Sequence, residues 1–135
     1  MKARSDSDRK VTVGVAVKDY KELIVWQKSI ELVKDIYKIC KEFPKEELYS
    51  LTDQIKRSVV SVPANIAEGS GRNTTKEFIQ FLYIALGSVC ELETHLIISK
   101  EIGYLYNKHL LEIQEIQKML NGLINSLKNK GKNGR

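Results

Sequence analysis

Apolar residues recur at every third or fourth position through most of this 135-residue chain. That spacing limits it to amphipathic helices. From Asp19 to Phe43, one helical seam is formed by Leu23, Trp26, Ile30, Val33, Tyr37 and Cys40. A second, of Val25, Leu32, Ile36, Ile39 and Phe43, lies beside it. Together they span an arc of roughly 200°, where a surface helix needs only about 100°. One seam can serve the core of the subunit. The other needs a second cover, so the chain is expected to form oligomers.

Pro44 ends this helix, because a residue before proline is pushed out of the helical region. The next run opens on Lys45-Glu46-Glu47, with acidic side chains suited to a first turn. It carries Leu48, Leu51, Ile55, Val59, Val62 and Ile66. A third run bears Phe78, Leu82, Ala85, Val89, Leu92 and Leu96, flanked by Ile79, Leu86, Cys90 and Ile97. It is as wide as the first, and Gly103 suits the position after its end. Asn107 can cap a fourth helix through Leu110, Ile113, Leu120, Leu123 and Leu127. The expected fold is all-α, an up-down-up-down four-helix bundle with helices at roughly 19–43, 45–68, 74–101 and 107–128. Val11, Val13, Val15 and Val17 alternate like a strand but have no partner strand, so residues 1–18 are expected to be a flexible arm. Residues 129–135 are expected to be a disordered basic tail.

Ser61 to Arg72, SVPANIAEGSGR, interrupts the second run with a proline and two glycines. A P-loop needs a strand first and Ser or Thr after the basic residue, and neither is present. Ser70 is not in a GxSxG context, since residue 68 is Glu68. The stretch reads as a helix–turn–helix corner. Pro63 removes a backbone donor and crowds the Val59 carbonyl, which Ser58 or Ser61 could relieve. Gly69 is assigned the left-handed residue that stops the helix, and Thr74-x-x-Glu77 the capping box that starts the next. The exposed start of helix three, beside Arg72, Asn73, Thr74, Thr75 and Lys76, is a candidate anion site.

The net charge of +5 is unevenly spread. Residues 1–18 contribute +3, residues 128–135 contribute +4, and the remainder sums to −2. Nucleic-acid binding is therefore expected only through the ends or a local patch. Lys56 and Arg57, with Arg72 and Lys76 at the corner, are the one basic group in the core that folding could gather, unless Asp53, Glu68 or Glu77 neutralises them. No aromatics interleave with them, so such binding would be indifferent to sequence. Glu93 falls within helix three's apolar arc, where a carboxylate must be paired, and Lys56 or Arg57 is the expected partner. Glu91 and His95 read as a surface pair, His109 as structural, and Trp26 as packing. With leucine at 92 the di-iron Glu-x-x-His motif fails, and no catalytic, metal or cofactor constellation can be assembled. Cys40 and Cys90 read as reduced core thiols of a cytoplasmic protein. No apolar run reaches membrane length, and the N-terminus fails as a signal peptide, so no membrane partner is expected.

The segments at 20–37 (YKELIVWQKSIELVKDIY), 51–72 (LTDQIKRSVVSVPANIAEGSGR), 76–96 (KEFIQFLYIALGSVCELETHL) and 119–127 (MLNGLINSL) resemble proteins encoded within intervening sequences of 23S rRNA genes. That family includes the accessory variability determinant of diversity-generating retroelements. Residues 1–18 have no counterpart in it. The resemblance implies a homopentamer of bundles and, for the retroelement protein, binding to nucleic acid and a reverse transcriptase through basic surface residues. This core is less basic than that protein. The expectation is a non-enzymatic oligomeric scaffold or RNA/DNA accessory factor, with a pure protein-interaction module as the alternative.

Overall fold

The computed structural model describes residues 11–12, 15–16, 19–104 and 110–133. Four α-helices stand among them: α1 (Ile24–Cys40), α2 (Leu51–Ser70), α3 (Thr75–Glu101) and α4 (Leu110–Asn133). Cross-helix contacts give their directions. Ser61 meets Ser88 while Gly69 lies against Phe78 and Phe81, so α2 and α3 run antiparallel. Gln117 meets Glu93 and Lys128 meets Tyr83, so α3 and α4 do too. The result is the expected up-down-up-down bundle.

Buried positions follow the helical period. Val25, Leu32 and Ile36 of α1, Ile55, Val59, Val62 and Ile66 of α2, and Ile113, Ile116, Leu120, Ile124 and Leu127 of α4 converge on the buried face of α3. That face is Phe78, Leu82, Ala85, Val89, Leu92 and Leu96. Each fully buried Leu, Ile or Phe contributes roughly 1.5–3 kcal/mol. In α1 the second seam is the one in the core. Of the first, Cys40 is buried, Leu23, Trp26, Ile30 and Val33 are half-covered, and Tyr37 is exposed.

Local chemistry moves the boundaries. Asp19 accepts the Lys21 N–H at 2.9 Å and caps a single 3₁₀ turn, Tyr20–Glu22. The chain is then extended at Leu23, so α1 starts later than position 19. Lys45–Glu47 is likewise a separate 3₁₀ turn, and α2 begins at Leu51. Thr74 caps α3 as expected, accepting the Glu77 N–H at 3.1 Å. Gly103 takes φ 91° after α3. The Asn107 cap lies outside the described residues.

Three expectations are corrected. α4 continues to Asn133, so residues 129–133 extend the helix and are not a separate tail. The valine alternation near the N-terminus does find a partner, within the arm itself. β1 (Val11–Thr12) pairs antiparallel with β2 (Val15–Ala16), and β1 lies against α4. Gly69 does not stop α2, which runs on to Ser70 and closes at Gly71 in right-handed geometry, φ −83°. Gly69 is buried because α3 passes too close for a side chain. A Cβ there would sit 2.5 Å from the Phe81 Cβ and 3.0 Å from Phe78 Cδ1.

Pro63 is absorbed within an unbroken α2. Neither nearby serine turns to the Val59 carbonyl. Ser58 Oγ donates to the Ile55 carbonyl at 3.0 Å, and Ser61 Oγ meets Ser88 Oγ at 2.8 Å. Asn65 Nδ2 donates to both the carbonyl and hydroxyl of Ser61, filling this polar seam. No uninterrupted apolar run spans a membrane, yet α3 as a whole is long and apolar enough to do so. One of its faces is bundle core. The other carries Tyr83, Ile84, Ile97 and Ile98, with Ile102 just past the helix end, all exposed.

Candidate nucleic-acid interface

The four basic residues singled out from sequence do not form one patch. Lys56 and Arg57 stand in the N-terminal half of α2, and Arg57 is roughly 20 Å along the helix axis from its end at Ser70. Lys56 Nζ lies 4.9 Å from the centroid of the Tyr37 ring on α1. Arg57 Nε pairs with Asp53 Oδ2 at 3.0 Å, one turn back on the same helix. Arg72 pairs with Glu68 at 2.9 Å and lays its guanidinium 4.8 Å from the Phe81 ring centroid. Lys76, in the first turn of α3, is exposed and has no ion-pair partner among the described residues. Asp53 and Glu68 thus neutralise both arginines, although exposed pairs hold only about 0–1 kcal/mol and yield readily to phosphate.

The corner acquires a different companion. Because α4 runs antiparallel to α3, its C-terminal part returns toward the start of α3. Lys128 Nζ donates to the Tyr83 hydroxyl at 2.5 Å and sits 5.0 Å from that ring's centroid. Tyr83 is seven residues beyond Lys76, about 10 Å along α3. Arg72, Lys76 and Lys128 therefore share one end of the bundle. Arg72 lies against one aromatic ring, Lys128 reaches the hydroxyl of a second, and Lys56 lies against a third, which corrects the expectation that no aromatic accompanies the basic residues. The sequence offers only a weak clue to Lys128: it ends the expected fourth helix, and only the packing of α4 on α3 shows what it meets.

The first turn of α3 is partly satisfied from within. Thr74 Oγ1 accepts the Glu77 N–H and donates to Glu77 Oε1 at 3.2 Å, so a carboxylate already faces the positive helix end. An anion must therefore be held mainly by the side chains of Arg72, Lys76 and Lys128.

Glu93 has a partner other than the expected one. Its Oε1 accepts from Gln117 Nε2 of α4 at 3.1 Å, and neither Lys56 nor Arg57 is near. The cause is azimuthal: Glu93 sits on the α4 side of α3, Lys56 faces α1, and Arg57 faces solvent beside Asp53. His95 Nε2 lies 3.6 Å from Glu91 Oε2, one turn back on the same helix, an ion-pair distance only for a protonated imidazole. The imidazole is less of a surface group than expected, with only 15% of its side chain exposed and both ring nitrogens buried without a hydrogen bond. Among the described residues no three His, Cys, Asp or Glu side chains gather closely enough to hold a metal ion. Burial pushes the Cys40 thiol up, partly opposed by the Lys56 charge. Cys90 is exposed on α3, where a core position was expected. His109 lies outside the described residues.

The model of one protein family, described as 23S rRNA-intervening sequence protein, matches residues 21–122. No match is found among curated proteins. Among solved structures, the chain is similar to a protein of unknown function from the S23 ribosomal protein family of Bacteroides thetaiotaomicron VPI-5482. The two are 29% identical, with 76% of this chain and 96% of that one covered and a TM-score of 0.69.

Proposed function

The chain belongs to the 23S rRNA-intervening sequence protein family, and from that membership we propose that it is a non-enzymatic, self-assembling helical scaffold whose basic end contacts RNA or DNA. The observation that carries the assembly is the outward face of α3. Ile84, Ile97 and Ile98 are 43–51% exposed on a helix whose opposite face is already core. A helix apolar on both faces needs cover on both. The number of subunits, five, rests on the family resemblance alone. The nucleic-acid contact is supported by Arg72, Lys76 and Lys128 at one end, with Phe81 and Tyr83 beside them as stacking surfaces. By family analogy a reverse transcriptase is a candidate protein partner.

Light scattering tests the assembly, and mobility shift with unrelated RNA and DNA across a salt series tests the binding. A clean monomer at micromolar concentration overturns the first part. No shift at low salt overturns the second. A pure protein-interaction module is the second reading, favoured by the ion pairs that neutralise Arg57 and Arg72 and by the −2 charge of residues 19–127.

A further inference from the structure

α1 and α3 stand at opposite corners of the bundle, each packed against α2 and α4. Both carry apolar surface that the other helices leave open, and the two surfaces are unlike. On α3 it is a ridge with the spacing of one helix face: Ile84, Gly87, Glu91, Thr94 and Ile98, all exposed. A Cβ added at Gly87 would meet nothing within 4 Å, so the ridge has a gap between Ile84 and Glu91. On α1 it is a seam shared with α2. Ile30 and Val33 are half-covered there, while Tyr37 and α2's Val60 are 40% and 42% exposed. Lys56 lies against Tyr37, and the antiparallel run of the two helices brings Val60, one turn on, to the level of Val33.

The charges on the two surfaces are opposite. Glu91 stands in the middle of the α3 ridge, and His95 beside it is a cation only when protonated. Lys56 stands in the seam with an aromatic ring for company and no carboxylate in ion-pair range among the described residues. Ridge laid on ridge would press carboxylates against apolar surface, and seam on seam would do the same to ammonium groups. Ridge on seam pairs the two. The spacings agree as well. Gly87 and Glu91 are one turn apart, about 6 Å along the axis. The Tyr37 ring centroid and Lys56 Nζ are 4.9 Å apart. A Tyr37 ring set in the Gly87 gap therefore brings an ammonium to Glu91.

We propose that the α3 ridge of one subunit docks in the α1–α2 seam of a second copy, with Tyr37 of that copy in the Gly87 gap and its Lys56 against Glu91. This rests on the self-assembly proposed above and adds which faces meet. The contact is heterologous. Each subunit gives its ridge to one neighbour and its seam to another, so two chains alone leave one face of each kind open. Exposed ion pairs contribute little, so Lys56 and Glu91 set the register while the apolar side chains supply the affinity.

Two blocked chains test this. Ile84→Glu/Ile98→Glu loses the ridge and keeps the seam, and Tyr37→Glu/Val60→Glu loses the seam and keeps the ridge. Each alone should be a monomer by light scattering with the parental circular dichroism. Mixed in equal amounts, they should form a complex of two chains and nothing larger, since one ridge and one seam remain. A mixture that stays monomeric, or a seam variant that keeps the parental mass, overturns the docking. Should a variant misfold, the unaltered chain carries the test. Carbodiimide coupling of co-refolded ¹⁴N- and ¹⁵N-labelled protein should join Lys56 to Glu91 in products with one peptide of each isotope. The 3.4 Å pair of Lys28 and Glu115 is the coupling control. Absence of the mixed product while the control forms overturns the proposal. A parent that is itself a monomer at micromolar concentration removes the assembly reading too, whereas an assembled parent with an unrescued mixture removes this pairing of faces alone.

Discussion

Tyr104 donates its phenolic proton to Glu47 Oε2 at 2.9 Å, tying the chain just after α3 to the turn between α1 and α2. The same carboxylate accepts from Ser50 Oγ at 2.8 Å, and the Tyr104 ring packs edge-on against Phe43 at 5.5 Å. Two loops at one end of the bundle are thereby joined by a single carboxylate.

That bond implies a pH window. Hydrogen bonds from Ser50 and then Tyr104 hold the Glu47 carboxyl below its ordinary value of 4.5, and Glu47 in turn raises Tyr104 above its ordinary 10.0. A depressed carboxylate contributes stability above its unfolded value and loses it as pH falls through the folded one. A raised phenol contributes below its unfolded value and loses it as pH rises through the folded one. The Tyr104→Phe variant should therefore be less stable than the parent at neutral pH. The gap between their urea midpoints should narrow below pH 4.5 and again above pH 10.0. A gap independent of pH would show that Tyr104 acts through packing alone.

Gly69 and Gly122 should respond oppositely to alanine. At Gly69 the added carbon meets the Phe81 Cβ at 2.5 Å, which is backbone-anchored and cannot swing away. Overpacking of this kind costs about 1–3 kcal/mol, part of it offset by helix propensity. At Gly122 nothing lies within 4 Å, so Gly122→Ala should gain about 0.5–1 kcal/mol. Thermal melts of both variants decide it. A Gly69→Ala protein as stable as the parent would mean α2 and α3 part at no cost.

Reversing the polarity of α3's outer face should dissociate the protein without unfolding it. Ile84 and Ile98 are 51% and 43% exposed in the subunit, so Ile84→Glu and Ile98→Glu remove little from its own core. The double variant should keep the helical circular dichroism of the parent while its mass by light scattering falls toward a single chain. By contrast Leu92→Ala, fully buried, should cost about 2–5 kcal/mol of stability. A double variant that keeps the parental mass would remove α3 from the interface.

Helix number, polarity and core positions were legible because period and breaker residues are local properties. Each buried residue of α3's seam, from Phe78 to Leu96, sits where its spacing places it. What was not legible depends on which helix lies beside which. A wheel puts Glu93 on an apolar arc but cannot say that α4's Gln117, and not α2's Arg57, stands opposite. The same blindness made Gly69 a helix stop, when its role is to let Phe81 approach. It also gave Lys128, the last residue of the expected fourth helix, no neighbour, where α4 brings it to Tyr83.

The basic end can be separated from the rest of the surface by charge reversal. Each phosphate neutralised on a duplex changes the slope of log K against log salt by about 0.9. Lys76→Glu and Lys128→Glu should each weaken binding across unrelated sequences and reduce that slope by about 1. Lys56→Glu and Arg57→Glu, placed along α2 well away from that end, should leave both quantities near the parental values. Tyr83→Ala keeps every charge, so a loss of single-strand affinity at constant slope would assign stacking to that ring. Should the Lys56 and Arg57 reversals weaken binding as much as those at Lys76 and Lys128, the contact surface runs along α2 and the grouping around Lys128 is wrong.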